Sequence, residues 1–448
     1  MNTKYLVGSI ALGVLLIGCT AAPVRDDSRV QNSIELAGVG TPRLPANGES
    51  YLDDAWFAEP LTVDRAVQAA FLNNPQVRAE LTRLDATQAE RIQAGLLRNP
   101  MGSLMVLRPE GGGRFELDYS LVQSLFDLFT RSKRIDAANA AQARMQAEVM
   151  MQLVRIAQDT EAAYFEALAT KDALRLQREQ LALEENTLVL LKRQAQQGVL
   201  SSNPVLTQQA AVSMQAHALR TAEAEQTKAL SALAQLLGLS SINRLVLPDH
   251  LPALRLAAFN EPELQALALK HRPELMATNA NIDQARAEKK LQTGALRATD
   301  PSLGLGGIRE SGGLSLNGLS AQISLPIFDT GRARGALADA KIAQAQYQAE
   351  ATRRLIPLEV ERALATLIAN TKALEHADHH VRQQRQLETL ALRNYQQGSG
   401  DYMNVVQAKR LRLASQTEQL QAQQMLRLSY VDLERATGVA MQNLSAAL

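Results

Sequence analysis

The chain has 448 residues, a formal charge of +1 and 4% aromatic residues. Near-neutral charge gives no polyanion signal, which argues against nucleic acid as a partner. The length would hold two or three ordinary domains. However, Ala, Leu and Gln dominate long stretches while Gly and Pro cluster in a few places, the profile of long helices rather than separate globules.

Residues 1–18 read as an export signal. Lys4 gives a positive start, a short apolar run follows, and Leu16-Ile17-Gly18-Cys19 resembles a lipobox, with cleavage before a cysteine that takes acyl chains such as palmitate. Cys19 is the only cysteine, so no internal disulfide forms. Thr20 stands where other bacterial lipoproteins carry an inner-membrane retention aspartate, and that resemblance points to the outer membrane. Each buried methylene of an acyl chain contributes about 0.8 kcal/mol, so lipidated Cys19 is a firm anchor. Residues 19–60 have Pro, Gly, Asn and Asp without helical period and read as a tether and lead-in.

The rest is written twice. Asn74-Pro75, Gly95, Phe126-Asp127, Gln196-Gln197-Gly198 and Gly238 return in order as Arg272-Pro273, Gly294, Phe328-Asp329, Gln396-Gln397-Gly398 and Gly438. Ordered matches that include Gly, Pro and Phe-Asp mark a duplication. The first copy is expected over 61–239, a linker over 240–260, the second copy over 261–438 and a tail over 439–448.

Each copy predicts the same elements. In the first, a helix over 61–97 starts with Thr62 as N-cap and is interrupted at Asn74-Pro75. A strand near 104–107 and a second with Phe115, Leu117, Tyr119 and Leu121 on one face and Glu116, Asp118 and Ser120 on the other follow across a Gly turn. A helix over 128–197 then carries a stripe of Met150, Val154, Ala157, Tyr164 and Leu168. Gly198 ends it, and a helix over 205–237 completes the copy. The second copy predicts a helix over 262–296, strands within 302–327, a helix over 331–397 kinked at Pro357, and a helix over 402–436. A bundle this long is a rod or part of a tubular wall, and strand pairs with open edges become stable when several chains close them into a barrel.

The lipobox, the duplication, the strand–helix–tip order, Leu125-Phe126-Asp127, Pro326-Ile327-Phe328-Asp329, and the tips Gln197-Gly198-Val199 and Gly398-Ser399-Gly400-Asp401-Tyr402 together resemble the TolC-like outer membrane factors. The resemblance covers residues 60–440. It implies a mainly α fold with a small β part: a long α-helical barrel plus a twelve-stranded transmembrane β-barrel, to which each chain of a homotrimer gives four strands. It also implies an equatorial belt formed by the lead-in, linker and tail. The implied function is the outer-membrane channel of a tripartite efflux pump, a passive duct for drugs or metal ions. A periplasmic adaptor and an inner-membrane transporter, a proton-driven pump, are the implied partners beside outer-membrane lipid.

In that family, acidic residues near the second tip constrict the duct. Asp401 is the acidic candidate here, with Asn404 and Gln407 one helical turn apart beyond it, and Ser201, Ser202 and Asn203 at the matching first tip. Each of these residue types also caps helices. Gln142, Gln146, Gln208 and Gln209 are candidates for a wet wall or for a solvated outer face. His376, His379 and His380 share a helix, but a metal site needs further ligands. The Gly-rich runs lack the lysine and serine of a phosphate loop, and no nucleophile–base pair or cofactor motif suggests an enzyme. Two alternatives stay open: a lipid-tethered periplasmic coiled-coil structural or adaptor protein without a pore, and a type I protein secretion duct.

Overall fold

A computed structural model describes residues 43–46, 49–249, 259–293 and 299–439. The export signal, Cys19, most of the tether, the linker's centre at 250–258 and the tail at 440–448 lie outside the described residues. The first copy runs α1 (Val63–Asn73), α2 (Pro75–Gly95), β1 (Met101–Leu107), β2 (Glu116–Ser124), α3 (Phe126–Gln196) and α4 (Ser202–Leu236). The second repeats the order with α5 (Glu261–His271), α6 (Pro273–Gln292), β3 (Ser302–Arg309), β4 (Ser315–Gln322), α7 (Arg332–Gln396) and α8 (Tyr402–Thr437).

Local chemistry sets these boundaries. Thr62 caps α1 by accepting from the Arg65 N–H. The residue before a proline is pushed out of helical ψ, so Asn74 is extended at ψ 122 and the helix divides there. Arg272 does the same at ψ 123 before Pro273. The single helix expected over 262–296 is therefore two, because the proline rule that divides the first copy operates equally in the second. Pro357 lies inside α7, which is continuous over 65 residues. Its neighbours Ile356 and Val360 are buried in the core, and that burial holds the helix across the missing donor. β4 ends at Gln322, so the strand character expected as far as 327 stops five residues early.

With 71 residues, α3 extends about 105 Å at 1.5 Å per residue. It packs on both α2 and α4, which lie along it end to end, and α7 packs likewise on α6 and α8. The stripe read from the sequence is the core: Met150, Val154 and Ala157 meet Phe71, Val77 and Leu81, while Tyr164 and Leu168 meet Leu61, Leu233 and Leu237. The second copy has the matching core of Leu264, Ile356, Val360, Leu426 and Leu433. Between copies, α3 packs on α6 along one part of its length and on α8 along another. Leu176 of α3 with Leu413 and Leu420 of α8 fills that seam.

The four strands form one antiparallel sheet in chain order, β1-β2-β3-β4, with β1 and β4 at its edges. The seam between copies is β2 on β3, with Ser120 opposite Gly306, and Leu125 N–H extends it by donating to Pro301 O at 2.8 Å.

Candidate functional site

The sheet and the hairpin tips are the two places where this chain presents unusual chemistry. Strand alternation puts Leu104, Val106, Leu117, Tyr119, Leu121, Leu303, Leu305 and Leu319 on one face. Of these, all but Leu117 are exposed, Leu319 by 77%. Tyr119 reaches over Gly307 and donates its hydroxyl hydrogen to Asn317 Oδ1 at 2.6 Å. The opposite face mixes Ser103, Asp118, Ser120, Gly306, Gly318 and Ser320 with Met101, Met105, Leu107, Val122, Ile308 and Leu316, and Ser103 and Ser120 share a hydroxyl hydrogen bond at 2.7 Å. A sheet with one leucine-rich exposed face and an opposite face where serine, glycine and aspartate are mixed with apolar residues is suited to lipid on one side and water on the other. Among the described residues no helix is long and apolar enough to cross a membrane.

At the far end of each long helix the chain reverses in a Schellman turn. Val199 N–H donates to Gln194 O and Gly198 N–H to Ala195 O, and the second copy repeats this with Ser399 to Asn394 and Gly398 to Tyr395. Gly198 and Gly398 both have φ 73, a left-handed conformation in which a side chain is strained. Asp401 then caps α8, its Oδ1 accepting from Met403 N–H at 3.2 Å. The first tip makes no such bond: Ser201 stands at the N-cap position without a side-chain hydrogen bond, and Ser202 and Asn203 already belong to α4.

The six tip candidates do not form one cluster. Asp401 and Asn203 line a groove of about 640 Å³ between the two hairpins, together with Leu191, Leu200, Tyr402 and Arg410. Exposed Asn404 and Gln407 line a separate groove of about 360 Å³ between α7 and α8. Exposed Ser201 and Ser202 belong to neither lining.

Two to three turns inside the tips lies a polar junction that the sequence did not disclose. Arg410 of α8 donates from Nε to Glu184 Oε1 of α3 at 2.7 Å and from Nη2 to Gln208 Oε1 of α4 at 3.0 Å. Gln208 Nε2 returns bonds to the Glu184 carboxylate at 2.6 Å and to its backbone oxygen at 3.0 Å. Gln208 is thus buried in a junction of three helices and is not a wall residue, whereas Gln209 is exposed. Within the second copy, Arg412 and Glu388 pair at 2.6 Å, and His380 joins Glu418 at 3.0 Å and Gln384 at 3.1 Å, tying α7 to α8.

A second junction between the copies lies nearer the middle. Arg435 of α8 pairs with Asp159 of α3 at 2.7 Å. Burial, and then the facing Glu434 carboxylate that shares a hydrogen bond with it, push the Glu161 carboxyl up to about 9. Arg427 lies over the Phe165 ring, 4.9 Å from its centre, and burial lowers its pKa.

Long paired helices, a small sheet with an exposed apolar face, and matched tips together suit a channel-type subunit of a membrane assembly. Comparison with known proteins makes that specific. The family model for outer membrane efflux proteins matches the chain twice, over residues 66–239 and 264–439. The chain belongs to the outer membrane efflux protein family, and is therefore the outer-membrane channel component of an efflux system. It is similar to the toluene efflux pump outer membrane protein TtgF of Pseudomonas putida, at 28% identity over 493 aligned residues that cover 100% of this chain and 98% of that protein. Its fold is similar to that of VceC of Vibrio cholerae, at 19% identity and a TM-score of 0.68 over 84% of this chain and 96% of that one. The CmeC outer membrane channel of Campylobacter jejuni, at 16% identity and a TM-score of 0.69, covers 94% of this chain and 93% of its own.

Proposed function

We propose that the chain works as a homotrimer in which each subunit gives four strands to a twelve-stranded barrel and its helices to a long periplasmic duct. The observation that carries this reading is the sheet: an exposed leucine-rich face, an opposite face where serine and glycine are mixed with apolar residues, and two edges without a strand partner among the described residues suit a wall between lipid and water. Cys19 carries the lipid anchor, and the lead-in, linker and tail form a belt around the duct.

The duct carries out no reaction. It passes small molecules delivered by a periplasmic adaptor and a proton-driven inner-membrane transporter, and the similarity to TtgF, the outer membrane protein of a toluene efflux pump, supports a small organic cargo rather than a secreted protein. The tips close the periplasmic end and receive the adaptor. Three copies of Asp401 near one axis concentrate negative charge there and favour cations, and Asn404, Gln407, Ser201, Ser202 and Asn203 supply neutral docking or lining groups.

Two measurements test this reading. Native mass of the purified chain in lipid is expected to give three chains with a β-sheet signal; a single strandless rod contradicts it. A Cys19→Ser variant is expected to lose palmitate incorporation, and undiminished labelling removes the anchor.

A further inference from the structure

The turn end of the sheet, opposite the helices, separates charge by sign. Arg309 closes β3 opposite Leu117, which is itself opposite Val106, so its side chain shares the leucine-rich face. Carried one residue past the strand ends, the same alternation puts Arg108 and Phe115 on that face too. The two meet there, with the Arg108 guanidinium carbon 6.0 Å from the ring centre. The carboxylates go the other way. Glu116 stands opposite Leu107, and Asp118 opposite Met105 and Ile308. Glu310 follows Arg309 and continues the hairpin by donating its N–H to Leu314 O at 2.9 Å, which turns it to the face of Ile308.

Arg309 and Glu310 are neighbours in the chain, yet among the described residues neither Arg108 nor Arg309 pairs with a carboxylate. Alternation is the reason, because a period of two holds adjacent side chains on opposite sides of the sheet. Both arginines are exposed. Their face also carries Leu121, Leu305 and Leu319, so with lipid on that side each guanidinium stands at the margin of an apolar wall. β3 has eight residues, which sets Arg309 about 24 Å along the strand from Ser302 at the helical end. A cation at that margin is stabilised by an anion that the lipid itself brings.

We propose that Arg108 and Arg309 bind the phosphate groups of the phosphorylated glycolipid of the outer leaflet, lipopolysaccharide, on the leucine-rich face of the sheet. The site rests on the sheet being a membrane wall, as read above, and names the lipid that the wall holds. The helices leave from the opposite end of the strands and extend into the periplasm, so the turn end reaches the external leaflet. Arginine suits this ligand, since its planar fork offers parallel donors to phosphate oxygens and keeps its charge. Leu305 and Leu319, nearer the helices on the same face, offer apolar surface to the acyl chains, and Phe115 lies against Arg108 at the headgroup level.

Binding of lipopolysaccharide to the delipidated full chain in detergent, with a chelator present to remove bridging cations, tests the site. The parent is expected to bind it more tightly than the same glycolipid stripped of its phosphates, and more tightly than phosphatidylglycerol. Arg108→Gln and Arg309→Gln are each expected to weaken binding about fivefold, and the double variant roughly 25-fold, the usual worth of a basic side chain at an anionic lipid surface. Glu310→Gln, on the opposite face, is expected to bind within about twofold of the parent. Equal affinity for the phosphorylated and dephosphorylated forms overturns the site without any variant, as does parent-like binding by the double variant. Tighter binding of phosphatidylglycerol overturns the choice of lipid. Native mass and sheet signal are read in the same samples. Trimers with sheet but without these affinities remove the lipid site and leave the barrel standing, whereas a strandless single chain sinks both.

Discussion

Arg410 grips Glu184 across the seam between the two copies, with Nε 2.7 Å from Oε1, and the two residues are 226 positions apart in the chain. The carboxylate is 12% exposed and also accepts from Gln208, so it is held by charge-assisted bonds in a partly dry setting. One contact therefore sets the distance between the α3–α4 hairpin and α8 just inside the tips. Arg410→Ala leaves that carboxylate with only an amide donor. The expected cost is about 1.5–3 kcal/mol, read as easier chemical unfolding of the helical signal. Glu184→Gln is expected to do the same, and the double variant should cost less than the sum of the two singles.

Asp401 has two separable roles. Its observed bond to Met403 N–H is a helix cap, and Asp401→Ala should cost about 1 kcal/mol for that reason alone. Asp401→Ser keeps a capping oxygen and removes the charge. If the charge acts on ions at a shared axis, cation preference in a planar bilayer falls in Asp401→Ser with little change in stability. Unchanged selectivity leaves Asp401 as a cap only.

The Glu161 carboxyl gives a pH dependence with a definite sign. Its folded value is raised from 4.5 to about 9, by burial first and by Glu434 second. Between those values the folded chain holds a proton that the unfolded chain has released, so stability is highest below the lower value and is lost as pH rises through the upper one. Glu161→Gln removes the titration. Its helical signal is expected to survive to a higher temperature than that of the parent at pH 8.5, with little difference at pH 4.

Asn74 ties the end of one helix to the start of another. Its Oδ1 accepts from Gln76 N–H at 2.8 Å and its Nδ2 donates to Leu236 O at 2.9 Å. Asn74→Ala removes both and leaves partly buried backbone groups unpaired, at an expected cost of about 1–3 kcal/mol in thermal or chemical unfolding.

Much of this fold is legible residue by residue, because it rests on periodicity and punctuation. The Met150–Val154–Ala157–Tyr164–Leu168 stripe is core as its spacing requires, and Thr62, Gly198 and Gly398 mark helix ends. The alternation of Leu117, Tyr119 and Leu121 gives the correct strand and faces, while Phe115, expected on the same face, stands one residue before the strand begins. Arg272 was harder to read than Asn74, because arginine rarely announces a break, though the following proline imposes one. Pro357 lies inside the continuous α7, beside buried Ile356 and Val360.

The tip chemistry is less legible for a different reason. An exposed-looking glutamine such as Gln208 becomes buried only when Glu184 and Arg410 arrive from other helices. No local pattern encodes that meeting. Likewise, Asp401 and Asn404 are three residues apart yet line different grooves, because α8 turns one toward the first copy's hairpin and the other toward α7.

A trimeric duct closed at its tips is the central proposal, with Arg410 and Glu184 linking the α3–α4 hairpin to α8 just inside them. Single-channel recording in planar bilayers addresses it directly. The parent chain is expected to give discrete conductance steps from trimers, and Arg410→Ala larger ones. Silent bilayers for both proteins, at protein densities where insertion is verified, would contradict it.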